Sequence, residues 1–186
     1  MEEIEMFLDE AKELMQKAVK HTSSELLKIR AGKAMPNLLD SVMVEYYGTN
    51  TPLSQVASIN TPDGRTLAIK PWEKNLIPDI ERAIINSDLG LAPQNNGEMV
   101  ILTIPALTEE RRLTLVKQAK HECEQGKVSI RTVRKDTNDS LKQLQKDGVA
   151  EDEIKRAEDK VQKLTDSYSH KIDELFDQKE KDIMTV

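Results

Sequence analysis

Apolar residues recur every three or four positions near the start of the chain, with charged residues between them. In residues 1–30 the series consists of Ile4, Phe7, Ala11, Leu14, Ala18, Leu26 and Ile29. Because this spacing places apolar side chains on one face of a helix, the pattern predicts a first amphipathic helix over this segment.

The last segment, residues 151–184, carries a more regular stripe. Four apolar residues lie seven apart: Ile154, Val161, Tyr168 and Leu175. A second series lies close to it: Ala157, Leu164 and Ile172. A heptad spacing predicts a long helix with one apolar seam. That seam has two possible uses, an internal core or a docking surface for a partner helix, as in a coiled-coil scaffold or adaptor protein.

A third helical pattern spans residues 108–146. Its apolar residues are Leu113, Val116, Ala119, Cys123, Ile130, Val133, Leu141 and Leu144. Thr108 is a suitable N-cap, and Gly148 is a suitable stop. Gly126, inside the pattern, either permits close helix packing or is simply tolerated. Three long helices with one-sided stripes predict an antiparallel three-helix bundle.

All seven prolines fall between Pro36 and Pro105, so the middle of the chain differs from its flanks. Proline interrupts helix interiors, and this stretch instead predicts short strands near 41–47, 55–60, 65–70 and 98–104, with a helix near 78–86. Turns are expected at Tyr47-Gly48 and at 61–64. The predicted fold is α+β, in which a small β/α/β domain (31–104) is inserted into the bundle (1–30 and 105–186). The two connections, 30–34 and 104–107, contain Gly32 and Pro105 and are predicted to act as a hinge.

Composition and charge exclude several classes of protein. The chain has 186 residues, a net charge of −6 and a single cysteine, so an internal disulfide framework is excluded. It contains no run of 18 apolar residues, which argues against a membrane span, and its acidic start is unlike a targeting peptide. The reducing cytoplasm is therefore the expected compartment. We also expect a monomer.

The positive charge is concentrated in one predicted helix. Residues 105–150 carry ten basic and seven acidic groups, although the protein as a whole is acidic. Lys127, Arg131 and Arg134 are spaced i, i+4, i+7 and therefore share a face. We predict that this face, extended by Lys135, binds nucleic-acid phosphates. The alternative is a solvated face whose charges pair locally with Glu124, Asp136 and Asp139.

Catalysis has little support in the sequence. His21, His121 and His170 fall in three different predicted helices, and no metal-binding pair such as HExxH is present. The chain also lacks a phosphate-binding loop of the GxxxxGK[ST] type and a GxSxG nucleophile motif. We therefore expect no enzymatic activity, no metal and no cofactor.

Several motifs carry a resemblance to a known family. They are Arg30-Ala31-Gly32-Lys33-Ala34, Val44-Glu45-Tyr46-Tyr47-Gly48, Ser87-Asp88-Leu89-Gly90-Leu91, Pro105-Ala106-Leu107-Thr108-Glu109-Glu110-Arg111-Arg112 and Arg131-Thr132-Val133-Arg134-Lys135-Asp136. With these motifs in the same order along its whole length, the chain resembles the bacterial ribosome recycling factor family.

The resemblance implies an L-shaped molecule that is not an enzyme and that acts on the post-termination 70S ribosome. With elongation factor G and GTP, such a factor helps to separate the ribosomal subunits, and its bundle contacts large-subunit rRNA. Together with the charge pattern, it gives a set of expected rRNA-binding residues: Arg30, Lys33, Arg111, Arg112, Lys127, Arg131, Arg134 and Lys135. The expected hinge residues are Ala31, Gly32, Pro105 and Ala106.

Overall fold

The computed structural model describes residues 1–30 and 32–185. Its elements in chain order are α1 (Glu2–Leu27), β1 (Met43–Tyr46), β2 (Thr49–Pro52), α2 (Leu53–Val56), β3 (Ala57–Asp63), β4 (Thr66–Pro71), α3 (Ile77–Asn86), β5 (Pro93–Asn95), β6 (Val100–Thr103), α4 (Glu109–Lys146) and α5 (Glu151–Met184). Short 3₁₀ helices occupy Pro36–Leu39 and Lys74–Leu76. The chain forms two compact units. The first consists of the described residues of Met1–Ala31 and Glu109–Val186, and the second consists of Gly32–Thr108.

The first unit is a bundle of α1, α4 and α5. Helices α4 and α5 are antiparallel because a short turn joins them. In this turn Gly148 adopts φ +108°, a backbone conformation that favours glycine. Leu8 of α1 lies beside Leu164 of α5, and Thr22 lies near Ile172. Helix α1 therefore runs parallel to α5, and the predicted antiparallel three-helix bundle within an α+β fold is confirmed.

Most of the predicted apolar stripe lies inside this bundle. The buried apolar residues on α5 are Ile154, Ala157, Val161, Tyr168, Ile172 and Ile183. Those on α4 are Leu115, Ala119, Cys123, Ile130 and Leu141. Because the heptad seam packs against helices of the same chain, the apolar surface that a coiled-coil adaptor would offer to a partner is already occupied.

At three places the buried residue is not the predicted one but lies one or two positions after it. Leu14 is 42% exposed whereas Met15 is fully buried, and Leu113 is 52% exposed whereas Leu115 is buried. On α5, Leu164 is only half-buried and Thr165 takes the interior position. The predictions for Leu14 and Leu113 were wrong because apolar character alone does not fix the rotation of a helix against its neighbours.

Three threonines lie in the bundle core: Thr22, Thr137 and Thr165. Each donates its hydroxyl hydrogen to the carbonyl oxygen four residues earlier, at 2.8–2.9 Å. These bonds satisfy the hydroxyl groups inside their own helices. A threonine can therefore occupy a core position without a partner on a neighbouring helix.

Gly126 of α4 lies where side chains of the two other helices come close to its backbone. A Cβ atom at this position would overlap Oγ1 of Thr22 on α1 and would lie 2.9 Å from Cδ1 of Ile172 on α5. Of the two interpretations of this glycine, the structure supports close helix packing.

The second unit contains two antiparallel sheets. Strands β1 and β2 form a hairpin whose turn, Tyr47-Gly48, has φ angles of +49° and +76°, as predicted for this turn and typical of type I′ geometry. The larger sheet has the order β3-β4-β6-β5. Its apolar residues form one cluster with the hairpin and α3, which includes Val44, Ile69 and Ile80.

The predicted strands of this unit were only partly right. Residues 53–56 form helix α2, so the strand expected at 55–60 begins at Ala57. The turn expected at 61–64 is shifted, because β3 continues to Asp63 through a register irregularity. Pro62 lies in this irregular part, where it removes no ladder hydrogen bond. The short strands β2 and β5 were not predicted, since neither has a clear apolar alternation.

Candidate nucleic-acid interface

The basic face predicted on the third helix lies on α4. This helix is continuous over 38 residues, so Lys127, Arg131 and Arg134 point in similar directions on successive turns. The apolar side of the same helix, with Cys123 and Ile130, is buried against α1 and α5. The basic side chains therefore lie beside the core.

Lys127 is engaged by a neighbouring helix. Its ammonium group forms an ion pair with the Asp173 carboxylate of α5, and only 24% of the lysine side chain is exposed. The hydrogen bond to Asp173 raises the pKa of Lys127. Its charge is therefore used within the bundle, through a partner other than the acidic residues considered from the sequence.

Arg131, Arg134 and Lys135 are more available to a partner. Arg131 lies 3.7 Å from Glu124, and both side chains are about half exposed, so this contact is weak. Arg134 donates a long hydrogen bond of 3.5 Å to the side-chain oxygen of Gln162 on α5. Lys135 is exposed, and no ion pair to it occurs within residues 1–30 and 32–185. These three residues form the accessible part of the face, which we call the α4 ribbon.

Arg111 and Arg112 lie in the first turn of α4, far from the ribbon. Sixteen residues separate Arg111 from Lys127, or about 24 Å along the helix axis at ~1.5 Å per residue. Arg112 is half-buried, and its Nε atom is buried without a hydrogen-bond partner among the described residues. The structure therefore does not bring these two arginines together with the ribbon.

Arg30 and Lys33 lie in the connection that follows α1. Arg30 is exposed and belongs to the first unit, whereas Lys33 is half-buried and belongs to the second. Arg30 thus shares a unit with the ribbon, whereas Lys33 does not.

The predicted hinge segments are anchored at one end. The backbone N–H groups of Ala34 and Ile104 donate hydrogen bonds of 2.8 Å to the carbonyl oxygens of Gly64 and Arg65 in the β3–β4 turn. Gly32 has φ +71°, and a Cβ atom there would lie 2.8 Å from Cγ of Leu107. Both connections are therefore tied to the β3–β4 turn where they enter the second unit.

The other hinge predictions concern residues close to these anchors. Pro105 and Ala106 are exposed residues outside helices and strands. Ala31, which we also predicted as a hinge residue, lies outside the described residues.

Two exposed lysines on the same side of α4 were not predicted. Lys142 lies seven residues after Lys135 and extends the ribbon, whereas Lys117 lies fourteen residues before Arg131, about 21 Å along the axis at ~1.5 Å per residue, and is separate from it. Gln162, which accepts from Arg134, itself donates to Asp166 at 2.9 Å. Extending the i, i+7 series could have found the lysines, but no local signal pairs Gln162 with Arg134.

The structure also bears on the other candidate chemistries. Burial raises the pKa of the Cys123 thiol to about 11, so the thiolate is scarce at neutral pH. Of the histidines, His170 makes an exposed contact of 3.3 Å with Glu174. Across residues 1–30 and 32–185, no group of three metal-binding side chains comes together.

Within the same residues, no helix combines the length and apolar character needed to cross a bilayer.

Comparison with known proteins gives one consistent result. The sequence model of the family described as "Ribosome recycling factor" matches residues 22–184. The ribosome-recycling factor of Amoebophilus asiaticus is 58% identical over 186 residues, and that of Cytophaga hutchinsonii is 55% identical over 186 residues. In both cases the alignment covers 100% of each chain.

Solved structures agree with the sequence relatives. A solution structure of a ribosome recycling factor matches with a TM-score of 0.78 and 38% identity, covering 100% of both chains. A second match, with a TM-score of 0.62 and 42% identity, covers 97% of this chain and 98% of the other. That protein is the T. thermophilus ribosome recycling factor, shown with the E. coli elongation factor G bound to the E. coli post-termination complex.

Proposed function

We propose that this chain, which belongs to the ribosome recycling factor family, is a translation factor that binds the post-termination ribosome. With elongation factor G and GTP, it would separate the ribosome into its subunits for reuse. The observation that carries this proposal is similarity over the full length at 58% identity, supported by a relative seen with elongation factor G on a post-termination complex. We further propose a cytoplasmic monomer without catalytic activity of its own.

A subunit-separation assay tests this function directly. Post-termination 70S ribosomes are mixed with the full chain, elongation factor G and GTP, and the loss of light scattering follows their dissociation. We expect dissociation only when all components are present. Intact ribosomes after addition of the complete mixture would contradict the proposal.

The α4 ribbon is our candidate contact with large-subunit rRNA. Arg131 and Arg134 are held beside the core by a long helix, and neither is tied to a strong acidic partner. A guanidinium group binds a phosphate through two parallel hydrogen bonds. Each phosphate contact should also steepen the salt dependence of binding.

Substitution of the arginines separates phosphate binding from stability. We expect Arg131→Ala and Arg134→Ala each to weaken binding to the large subunit by about 1–3 kcal/mol while helicity is unchanged. Lys127→Ala is the contrasting variant, because its charge is already paired with Asp173; it should affect binding less. Wild-type affinity and salt slope in both arginine variants would remove the ribbon from the mechanism.

We also propose that motion at the two connections, 30–34 and 104–107, is needed for separation but not for first binding. The hydrogen bonds from Ala34 and Ile104 to the β3–β4 turn limit these segments on one side. Hinges are usually a few loop residues that absorb changes in φ and ψ. Gly32, at φ +71°, tolerates angles that other residues resist.

An engineered disulfide between the two units, placed near these segments, tests the hinge. The oxidised protein should bind ribosomes almost normally, because the α4 ribbon is unchanged, but should separate subunits slowly until a reductant is added. The same pair of cysteines under reducing conditions is the control. Equal separation rates in the two states would show that the connections act only as tethers.

A further inference from the structure

The connection between β5 and β6, residues 96–99, contains a chemically reactive pair, Asn96-Gly97. Of the eight asparagines in the chain, only Asn96 is followed by glycine. The backbone nitrogen that follows an asparagine can attack the carbon of the side-chain amide, and a side chain on the following residue hinders this attack. Glycine presents no side chain, and asparagine is among the thermolabile residues of proteins. The proposed function makes no use of this pair.

Backbone N–H groups of the turn hold the side-chain oxygen of Asn96. The N–H groups of Glu98 and Met99 both donate to its Oδ1 atom, each at 3.0 Å. During attack on the amide carbon, negative charge develops on this oxygen. Two donors aimed at such an oxygen stabilise the charge, as in the oxyanion hole of an enzyme. The turn therefore stabilises the charge that the reaction creates.

The nucleophile and the leaving group are accessible to solvent. Asn96 and Gly97 are exposed, so hydroxide can reach the Gly97 N–H group. No atom of the described residues, other than those of its chain neighbours, lies within 4 Å of where a Cβ of Gly97 would be, which leaves room for a new ring. The Gly97 N–H group donates to Oδ1 of Asn95, but this bond is long, at 3.2 Å. Within residues 1–30 and 32–185, no hydrogen bond holds Nδ2 of Asn96.

Asp63-Gly64, in the β3–β4 turn, is a contrasting pair. The backbone N–H group of Arg65 and the hydroxyl group of Thr66 donate to the Asp63 carboxylate, at 2.8 and 3.0 Å. The hydrogen bond from Arg65, more than that from Thr66, lowers the pKa of Asp63, so the carboxyl group is ionised at neutral pH. The negative charge of an ionised carboxylate makes its carbon a poor electrophile. Hydrogen bonds of a similar kind thus protect an aspartate and activate an asparagine.

We propose that Asn96 is a site of spontaneous deamidation in the folded protein. The Gly97 backbone nitrogen gives its proton to hydroxide and forms a bond to Cγ of Asn96. The bond from Cγ to Nδ2 then breaks, and the amide nitrogen takes a proton from water and leaves as ammonia. The resulting succinimide ring adds one water at either carbonyl carbon and opens to aspartate or isoaspartate. In total one water is consumed and one ammonia is released, and no oxidant or reductant takes part.

Isoaspartate would change the backbone of the small unit. It adds a methylene group to the main chain between β5 and β6, next to the paired residues Asn95 and Val100. Val100 is completely buried, so a shift of β5 against β6 would disturb the core. Asn95 also donates a hydrogen bond to Glu81 of α3, which holds this turn against the helix. Aspartate keeps the normal backbone and the acceptor oxygens, so only isoaspartate should destabilise the unit.

Mass spectrometry of peptides from the full chain, aged at neutral pH, tests the site. We expect the mass change from amide to acid at Asn96 before any other asparagine, at similar rates in the folded protein and in urea. Asn86 is the internal control: the following N–H group, of Ser87, donates to the carbonyl oxygen of Ile84 at the end of α3, so Asn86 should convert only in urea. Asn96→Gln, which would have to form a larger ring, should stay intact. An Asn96 that remains intact in the folded protein, or that converts after another asparagine, would overturn the proposal.

Enzymatic methylation of isoaspartate, combined with unfolding, tests the route and its effect. The fluorescence of Trp72, the only tryptophan, follows the small unit during unfolding in denaturant. Aged wild type should unfold at a lower denaturant concentration as its isoaspartate content rises, whereas fresh Asn96→Asp and aged Asn96→Gln should match fresh wild type. Absence of isoaspartate at residue 96 would overturn the succinimide route. Isoaspartate without a shift in the transition would overturn its effect on β5 and β6.

Discussion

The two units of this protein fill their interiors in different ways. The buried cluster of the small unit consists only of aliphatic residues, among them Leu67, Ile69 and Ile84, which are completely buried. The bundle interior instead includes small and polar residues, such as Ala119, Thr165 and Gly126. A sheet covered by a helix encloses a wide core, whereas three long helices enclose a narrow one.

This difference has a consequence for function. A narrow bundle leaves much of each helix exposed, so α4 and α5 offer long surfaces on which charge can be arranged. In the small unit, the exposed side chains include Tyr47 and Trp72, at 81% and 69% exposure. If the two interiors are independent, a substitution in one unit should leave the stability of the other unchanged.

The largest effect is expected in the small unit. Ile80→Ala removes a completely buried side chain and should lower the free energy of unfolding by about 2–5 kcal/mol. Trp72 is the only tryptophan, so its fluorescence reports on this unit, while far-UV circular dichroism reports mainly on the bundle. We expect fluorescence to change at lower denaturant concentration than helicity. Ile85→Ala, at a 65% exposed position, is the control, and coincident transitions would show that the units unfold together.

A similar loss is expected in the bundle, but only at true interior positions. Ile172→Ala should cost about 2–5 kcal/mol, because Ile172 is fully buried. Leu164→Ala should cost clearly less, since Leu164 lines the open groove between α1 and α5. Thermal unfolding of the two variants measures the difference. Equal losses would mean that the groove is closed in solution.

Gly126→Ala should destabilise the bundle even though alanine favours helices. The helix preference contributes roughly 1 kcal/mol, and overpacking costs about 1–3 kcal/mol. The new methyl group would displace Thr22, whose hydroxyl donates to Ala18 at 2.9 Å. Urea unfolding should show a net loss that Thr22→Ala partly reverses in the double variant. Ser129→Ala, at an exposed position of α4, is the control, and a more stable Gly126→Ala protein would refute the packing argument.

A smaller gain is expected at the start of α5. Ala150 has extended backbone angles and makes no side-chain cap hydrogen bond. Ala150→Ser supplies an acceptor for a free N–H group and should stabilise the bundle by roughly 1 kcal/mol. The melting temperature should rise for Ala150→Ser but not for Ala150→Val, which has no acceptor. No rise with serine would indicate that water already satisfies this helix end.

The smallest effect concerns the ion pair between α4 and α5. Lys127→Gln should cost less than about 1 kcal/mol, because Asp173 is half exposed. The folded state raises the pKa of Lys127, so this stabilisation is present at neutral pH and is lost as the pH rises through the raised pKa. Unfolding of wild type and variant at several alkaline pH values should therefore converge. Lys117→Gln, at an exposed position of α4, is the control, and a difference that persists at high pH would point to lost packing.

The sequence by itself determined the elements that depend on local periodicity. The three long helices follow from repeats within each segment, and the proline-rich middle follows from the inability of proline to continue a helix. The basic face of α4 was also predictable, since i, i+4 and i+7 positions share a side in any helix. The strands β2 and β5 were missed because short polar strands take their structure from their neighbours in the sheet.

Only the tertiary structure decided the choices that depend on distant residues. Met15 rather than Leu14 is buried because α1 meets α4 and α5 at a particular rotation, which no local pattern contains. Lys127 is not part of the α4 ribbon because it forms an ion pair with Asp173 on another helix. Gly126 acquires its role only where Thr22 and Ile172 converge on it. Periodicity is a property of one segment, whereas these contacts arise from the packing of three.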